Sequence, residues 1–204
     1  MLLAFALTLP ATASAAGVSG DAYGVYVRAL GVSQGQTPRV VLDPVEGLVT
    51  DELASLSVGN LLTAKTLDVG SSGVVGENAA SSQSRSTAQE VSLLGSVIKA
   101  QTVIAMANSA SNGVTAASNG DGSTFAGLVI NGTPIADTVA PNTQIMLPGI
   151  GVVTLNEQSK SGNGVTTSGL KVNMIHVLLQ DTLTGITTGE IVVGSATSAA
   201  DFAR

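Results

Sequence analysis

The sequence predicts an all-β protein, an antiparallel β-sandwich built from long hairpins, and three observations support this. The chain has 204 residues, of which 44% are hydrophobic and only 2% aromatic, and it is rich in Gly, Ser and Thr. Segments rich in Val, Ile and Thr alternate with turn signals along the chain, as is typical of strands. Asn-Gly pairs favour tight hairpin turns because both residues accept positive φ. These pairs are Asn112-Gly113, Asn119-Gly120, Asn131-Gly132 and Asn163-Gly164.

The N-terminal segment has the pattern of a secretory signal peptide. An apolar run extends from Leu2 to Leu9, with no Lys or Arg before it, and small residues follow Pro10. The run is too short to cross a bilayer, and Ala13 and Ala15 occupy the two small-residue positions of a cleavage site. We therefore predict a signal peptide over residues 1–15 and a single all-β domain over residues 16–204. A buried N-terminal strand is the alternative.

Strands are predicted wherever β-branched residues cluster between turns. Residues 81–91 form a further predicted strand, whose small hydroxyl side chains suit a wet face. Residues 51–56 are the exception, because Thr50 and the acidic residues after it predict a short capped helix. Pro148 and Gly149 predict a type II turn. The predicted strands cover residues 25–32, 39–42, 61–69, 97–106, 124–130, 144–147, 152–155, 170–179 and 190–193.

One internal repeat relates residues 58–67 to residues 94–103. Both copies begin with an apolar residue and Gly, and the Ala and Thr positions are also identical. A glycine corner followed by a strand, used twice, fits two equivalent hairpins of a sandwich or two rungs of a short β-solenoid. The Asn-Gly turns favour antiparallel pairing, so the sandwich is preferred and the short β-solenoid is the alternative.

Charge and composition exclude several classes of function. The net charge is −6, and the eight Lys and Arg residues are spread singly along the chain. Without a basic cluster, nucleic-acid binding and adhesion to anionic membranes are not expected. The absence of Cys excludes disulfides and thiolate chemistry, and a single His excludes a His-rich metal site. No stretch of the predicted mature chain reaches the length of a membrane span.

Five short motifs occur in a fixed order along the chain, at residues 91–95, 125–134, 147–157, 172–177 and 189–195. Together they resemble the choice-of-anchor P family of secreted, mostly actinobacterial proteins. The resemblance extends from about Tyr23 to Ser198 and implies export and a setting in the cell envelope. The family has no assigned activity, so the resemblance implies no catalytic residue.

A serine hydrolase is the enzymatic alternative. Residues 31–35 read Gly-Val-Ser-Gln-Gly and match the nucleophile elbow, with Ser33 as the nucleophile. That elbow requires a preceding buried strand, a following helix and a histidine partner. Thr37 and Pro38 follow and begin no convincing helix, so a turn between two strands is the preferred interpretation.

His176 is the only histidine and hence the only candidate base of its type. Alternation along the predicted strand places it on a mostly apolar face, where we expect a hydrogen-bonded packing residue rather than a catalytic one. The residues predicted to share this face are Leu170, Val172, Met174 and Leu178.

Two groups of oxygen ligands are candidate calcium sites, although no cofactor is required by the sequence. Asn119 and Asp121 lie on a Gly-rich segment, and Asp43 and Glu46 belong to the densest carboxylate group. Ca²⁺ prefers such oxygen ligands, but the Glu that closes an EF-hand loop is missing after Asp121. A plain turn and a solvated acidic loop are the preferred interpretations.

The sequence therefore predicts a secreted, non-enzymatic structural or surface-interaction protein of the bacterial envelope or extracellular matrix. Its expected partners are other copies of itself, in a homo-oligomer or filament, or other envelope components. Few charges protect the strand edges, so assembly by strand addition is expected, with residues 16–26 as a short N-terminal arm. A carbohydrate- or surface-binding module is the alternative, and the hydrolase is the second alternative.

Overall fold

Two antiparallel sheets of long hairpins pack face to face in a β-sandwich. The computed structural model describes residues 16–29, 31–43, 46–181 and 183–203, so the predicted signal peptide lies outside the described residues. Fourteen strands account for most of this part of the chain. They are β1 (Gly17–Ala29), β2 (Val32–Leu42), β3 (Gly47–Val58), β4 (Leu62–Val75), β5 (Ala80–Leu93), β6 (Ile98–Ser111), β7 (Ala116–Asn119), β8 (Thr124–Ala126), β9 (Val129–Ile130), β10 (Thr133–Pro134), β11 (Thr143–Leu147), β12 (Gly151–Ser161), β13 (Thr167–Gln180) and β14 (Thr187–Asp201).

The strand order confirms the predicted sandwich and excludes the solenoid alternative. The six-stranded sheet has the order β11-β12-β13-β14-β1-β2, and the eight-stranded sheet has the order β10-β9-β6-β5-β4-β3, with β7 and β8 also paired to β6. Every pair is antiparallel, whereas neighbouring rungs of a solenoid pair in parallel. β1 lies between β14 and β2, so residues 16–26 do not form the free arm that was predicted.

The repeated segments form two neighbouring hairpin turns at one end of the eight-stranded sheet. The turn from β3 to β4 and the turn from β5 to β6 are joined by hydrogen bonds from Leu94 N to Leu61 O (2.9 Å) and from Gly95 N to Asn60 O (3.2 Å). Two equivalent hairpins therefore explain the repeat. The Asn131-Gly132 turn is also as predicted, since both residues have positive φ (50° and 79°) between β9 and β10.

The predicted helix at residues 51–56 is wrong. These residues belong to β3, which pairs with β4 along its whole length, from Gly47 opposite Gly73 to Val58 opposite Leu62. The capping signal is local, and the Asp51 side chain does accept a hydrogen bond from the Glu52 backbone N–H. Long-range pairing with β4 supplies many more main-chain hydrogen bonds than one short helical turn, so the tertiary context overrides the local preference.

The apolar core fills one half of the space between the sheets. Its largest fully buried side chains include Phe125, Leu67, Ile98, Leu155 and Ile175, which come from both sheets. Two smaller apolar clusters around Val18 and Val69 occupy the other half. The bulky residues are therefore concentrated toward the end where β4 and β6 begin.

Serine side chains occupy much of the remaining interior. The predicted strand at residues 81–91 is confirmed as part of β5, but its hydroxyl face is not wet, because Ser82, Ser84 and Ser86 are all buried. The Ser84 hydroxyl bonds to Ser71 of the same sheet. The hydroxyls of Ser82 and Ser86 bond across the interface between the sheets, from Ser82 Oγ to Ser19 O (2.8 Å) and from Ser86 Oγ to Tyr23 O (2.9 Å). Small side chains let the sheets approach closely enough for these contacts. Further bonds between the layers join Ser109 to Ser198, Ser111 to Thr166, Ser118 to Gly169 and Ser168 to Ala110.

One row of residues across the six-stranded sheet interrupts the regular alternation of side chains between the two faces of the sheet. In this switch row (Asn156, Met174, Gly194 and Gly24), Asn156 and Gly194 have positive φ of 49° and 70°. Met174 and the next residue, Ile175, are both buried in the apolar core, which strict alternation does not allow. A Cβ at Gly194 would also approach Val103 of the other sheet to 3.1 Å. Beyond the row, the alternation resumes with the opposite parity.

Candidate functional site

The outer face of the six-stranded sheet carries a polar cluster around His176, next to the switch row. This outer-face cluster consists of His176 and Asn173 on β13, Glu157 on β12 and Glu190 on β14. Glu157 lies opposite Asn173, which lies opposite Ser195 on β14. Four groups from three adjacent paired strands are thus held on one rigid surface.

The predicted surroundings of His176 are wrong for three of the four residues, and only Leu178, which lies two positions farther along β13 and pairs with Glu190, shares its face. Leu170, Val172 and Met174 belong to the core, whereas the His176 side chain is 15% exposed on the opposite face with Asn173. The prediction assumed unbroken alternation along β13, and the switch row at Met174 shifts the parity by one residue. The expectation that His176 is hydrogen-bonded is confirmed.

Hydrogen bonds connect the cluster in a chain. His176 Nδ1 lies 2.9 Å from Glu157 Oε2, and Asn173 Nδ2 donates to the same oxygen at 2.7 Å. Ser195 Oγ in turn donates to Asn173 Oδ1 at 2.8 Å. On its other side, His176 Nε2 lies 3.0 Å from Glu190 Oε1, within ion-pair distance. This second contact lacks hydrogen-bond alignment, so Nε2 has no hydrogen-bond partner among the described residues.

The surroundings favour the charged forms of His176 and Glu157. The hydrogen bond to Glu157 raises the pKa of His176 above its ordinary value of 6.5, against the opposing effect of burial, and Glu190 adds to the rise. The same hydrogen bond lowers the pKa of Glu157 below 4.5, also against burial, with help from Asn173. Burial raises the pKa of nearby Tyr23, whose hydroxyl bonds to Ser195. An imidazolium between two carboxylates therefore persists to higher pH here than in an unperturbed histidine.

An open depression of about 440 Å³ lies over the cluster. Its polar lining mixes hydrogen-bond donors and acceptors, and Lys171 lies on its rim. Val192 of β14 lines the depression and pairs with His176 of β13 on one side and with Tyr26 of β1 on the other. Tyr26 therefore lies on the same face of the sheet as His176. Of the aromatic residues in the described part of the chain, Tyr26 is the one that is not buried.

The geometry separates Ser33 from His176. Ser33 lies at the start of β2 opposite Arg28, while His176 lies on β13, and β14 and β1 intervene. Three strand spacings amount to about 14 Å, far beyond hydrogen-bond distance. Residues 31–35 run from a hairpin turn into an exposed strand, and no helix occurs among the described residues. The strand–turn–helix context of a nucleophile elbow is therefore missing.

The candidate calcium ligands lie in two separate places. Asn119 and Asp121 are in the turn between β7 and β8, where Asn119 Oδ1 accepts hydrogen bonds from Asp121 N and Asn108 Nδ2 at 3.1 Å each. Asp43 and Glu46 are in the connection from β2 to β3. Within the described ranges, no group of three or more His, Asp or Glu side chains is placed to hold a metal ion. Calcium binding stays a prediction.

The edge strand β3 is a second candidate surface. It pairs with β4 on one side, and no described residue pairs with its other side, although β2 of the other sheet lies nearby. Its side chains include the exposed Leu48 and the acidic pair Asp51 and Glu52. A free edge of this length presents a row of main-chain donors and acceptors.

Sequence reasoning missed Glu157, Asn173, Glu190 and Tyr26 as site residues. A usable signal was present, since Asn173 and His176 are polar residues three positions apart in an apolar strand. An odd separation places two residues on opposite faces of a regular strand, so two polar residues at this spacing indicate a change of parity between them.

No protein-family model, curated protein or solved structure matches the chain. The resemblance to the choice-of-anchor P family therefore stays a prediction. No helix in the described part of the chain is long and apolar enough to cross a membrane.

Proposed function

We propose that this is a secreted, non-enzymatic surface-interaction protein of the bacterial envelope or extracellular matrix, which assembles with other copies of itself by strand addition at β3. The observation that supports this proposal is the free edge of β3. With twelve residues, β3 is the longest edge strand of the two sheets. Strand addition derives its affinity from main-chain hydrogen bonds and so needs no specialised side chains.

The other edges are less suited to pairing. β11 has five residues and β10 has two, so each offers few main-chain groups. β2 is nearly as long as β3 but contains Pro38, which has no N–H to donate. Strand addition is therefore favoured at β3, and the side chains along β3 determine how a second copy fits.

The acidic pair restricts the register of a two-fold pair of β3 strands. A pair centred on Asp51 or Glu52 would place identical carboxylates opposite one another, which is destabilising. Centring the pair on Thr50 instead places Glu52 opposite Leu48 of the second copy and Asp51 opposite Val49. Because each chain carries a net charge of −6, added salt should screen the repulsion between copies and strengthen association.

Sedimentation velocity over a wide concentration range tests the assembly. We expect reversible association of the secreted chain that strengthens with salt. Leu48→Lys should weaken it, because a lysine on an edge strand opposes strand pairing. Leu183→Lys is the matched control, since Leu183 is exposed far from β3 and the charge change is the same. A chain that stays monomeric at all concentrations, or equal effects of the two variants, would refute the proposal.

Cysteine cross-linking tests the register, because the chain contains no cysteine of its own. Opposed residues of an antiparallel pair have Cα atoms about 4.5–5.5 Å apart, within the range that a disulfide spans. Thr50→Cys should therefore form a disulfide-linked dimer under mild oxidation. Thr63→Cys is the control, because Thr63 is exposed on β4, which has neighbours on both sides. Equal cross-linking of both variants would contradict pairing at β3.

A further inference from the structure

The outer-face cluster is independent of the β3 edge, and its four residues line the depression. Glu157 Oε1 accepts no hydrogen bond from any described residue, because both bonds to this carboxylate go to Oε2. His176 Nε2 is buried and lies 3.0 Å from Glu190 Oε1, so the imidazole holds the two carboxylates in place and does not itself contact a ligand. The Asn173 amide donates to Glu157 and accepts from Ser195, which fixes the cluster further. The cluster thus holds two carboxylates in place and leaves acceptor capacity at Glu157 Oε1.

The balance of charge at the depression suits neither a cation nor an anion. The carboxylates of Glu157 and Glu190 face the His176 imidazole, whose charged form they favour, and the ammonium of Lys171 lies at the rim. Arg28 lies 4.0 Å from Glu190 on the far side. Mixed donors and acceptors without a dominant charge complement hydroxyl groups, because each hydroxyl both donates and accepts.

Tyr26 supplies the apolar component of the site. It lies on the same face as His176 across β14, two strand spacings or about 10 Å away. A partly exposed aromatic ring near convergent polar groups on a rigid scaffold offers a stacking surface for the C–H face of a sugar ring. The distance exceeds the width of one ring and fits a chain of two or more sugars.

We propose that the outer face of the six-stranded sheet binds a neutral oligosaccharide. Glu157 and Glu190 accept hydrogen bonds from sugar hydroxyls, Lys171 donates one at the rim, and Tyr26 stacks on the neighbouring ring. The depression of about 440 Å³ lies within the size range of small-ligand sites, and its open form suits an extended polymer that lies across the strands. A soluble oligosaccharide and a surface polysaccharide present this same chemistry.

The test begins with the secreted chain on an array of neutral, acidic and amino oligosaccharides, followed by calorimetric titration with the best neutral oligosaccharide. We expect binding to neutral saccharides and retention on an insoluble polysaccharide that contains the same unit. Binding to the soluble oligosaccharide alone, or to the insoluble polysaccharide alone, would identify the natural source of the ligand and would still support the site.

Variants locate the binding site on the sheet. Tyr26→Ala and Glu157→Gln should each weaken binding about tenfold. Tyr26→Phe should retain binding, because it keeps the ring. Glu52→Gln is the control for lost charge, since Glu52 lies exposed on β3 in the other sheet. Thermal unfolding of each variant confirms that it is folded.

Three results would overturn the proposal. They are the absence of binding to every neutral saccharide, binding confined to acidic saccharides, and unchanged affinity in folded Tyr26→Ala and Glu157→Gln variants. None of these bears on association through β3, which Leu48→Lys tests separately.

Discussion

Close approach of the two sheets in the serine-rich half predicts that one added methyl group at Gly20 is destabilising. A Cβ at Gly20 would overlap Ser71 Oγ, lie 2.5 Å from Ser84 Oγ and lie 3.2 Å from Ser71 Cβ. These two hydroxyls form a buried hydrogen bond of 2.9 Å with each other. Gly20→Ala must therefore displace them and break that bond.

The expected loss follows from the groups that are displaced. Overpacking of a core costs about 1–3 kcal/mol, and a buried hydroxyl left without a partner costs about 1–3 kcal/mol. Gly20→Ala also restricts the unfolded chain, which stabilises the protein by about 0.4–1 kcal/mol. We expect a net loss of about 1–5 kcal/mol, or a fall in Tm of about 2–20 °C for a chain of this size.

A double-mutant cycle measured by urea unfolding provides the assay. In the Ser71→Ala/Ser84→Ala background both hydroxyls are gone, so Gly20→Ala should cost about 1 kcal/mol or less. Gly70→Ala is the matched control, because a Cβ there would make only ordinary contacts at 3.5 Å or more. Equal losses from Gly20→Ala in both backgrounds, or a neutral effect in the native background, would refute the close packing of serine against glycine.

Two further predictions concern pH and processing. The free energy of unfolding should fall as the pH rises above 6.5 through the raised folded-state pKa of His176, because the charged form that Glu157 stabilises is lost, and His176→Gln should flatten this slope in urea titrations. Below pH 4.5 the free energy of unfolding should fall again as the pH drops through the lowered folded-state pKa of Glu157. A free energy of unfolding that does not change with pH in either range would contradict the ion pair. The secreted protein should begin at Ala16 by N-terminal sequencing, and an intact Met1 would contradict the signal peptide.

The sequence by itself determined the fold class and two of the turns. Asn131-Gly132 and Pro148-Gly149 form turns where predicted, because the allowed φ values of these residues depend on the residues themselves. Most of the predicted β-branched segments are strands, although residues 25–32 include the turn at Gly31 and residues 124–130 divide into β8 and β9. The repeat indicated two equivalent hairpins, and a hydrogen bond between Leu94 and Leu61 now joins their turns.

Only the tertiary structure decided which side of each strand is buried. The serines of β5 look suited to water, yet they face a second sheet that brings backbone acceptors within reach. Residues 51–56 have helical signals, yet pairing with β4 makes them a strand. His176 lies on the outer face because the switch row shifts the alternation of side chains by one residue in four paired strands. Alternation along one strand follows from its own backbone, but the environment of each face comes from strands far away in the sequence, so local pattern could not locate the outer-face cluster.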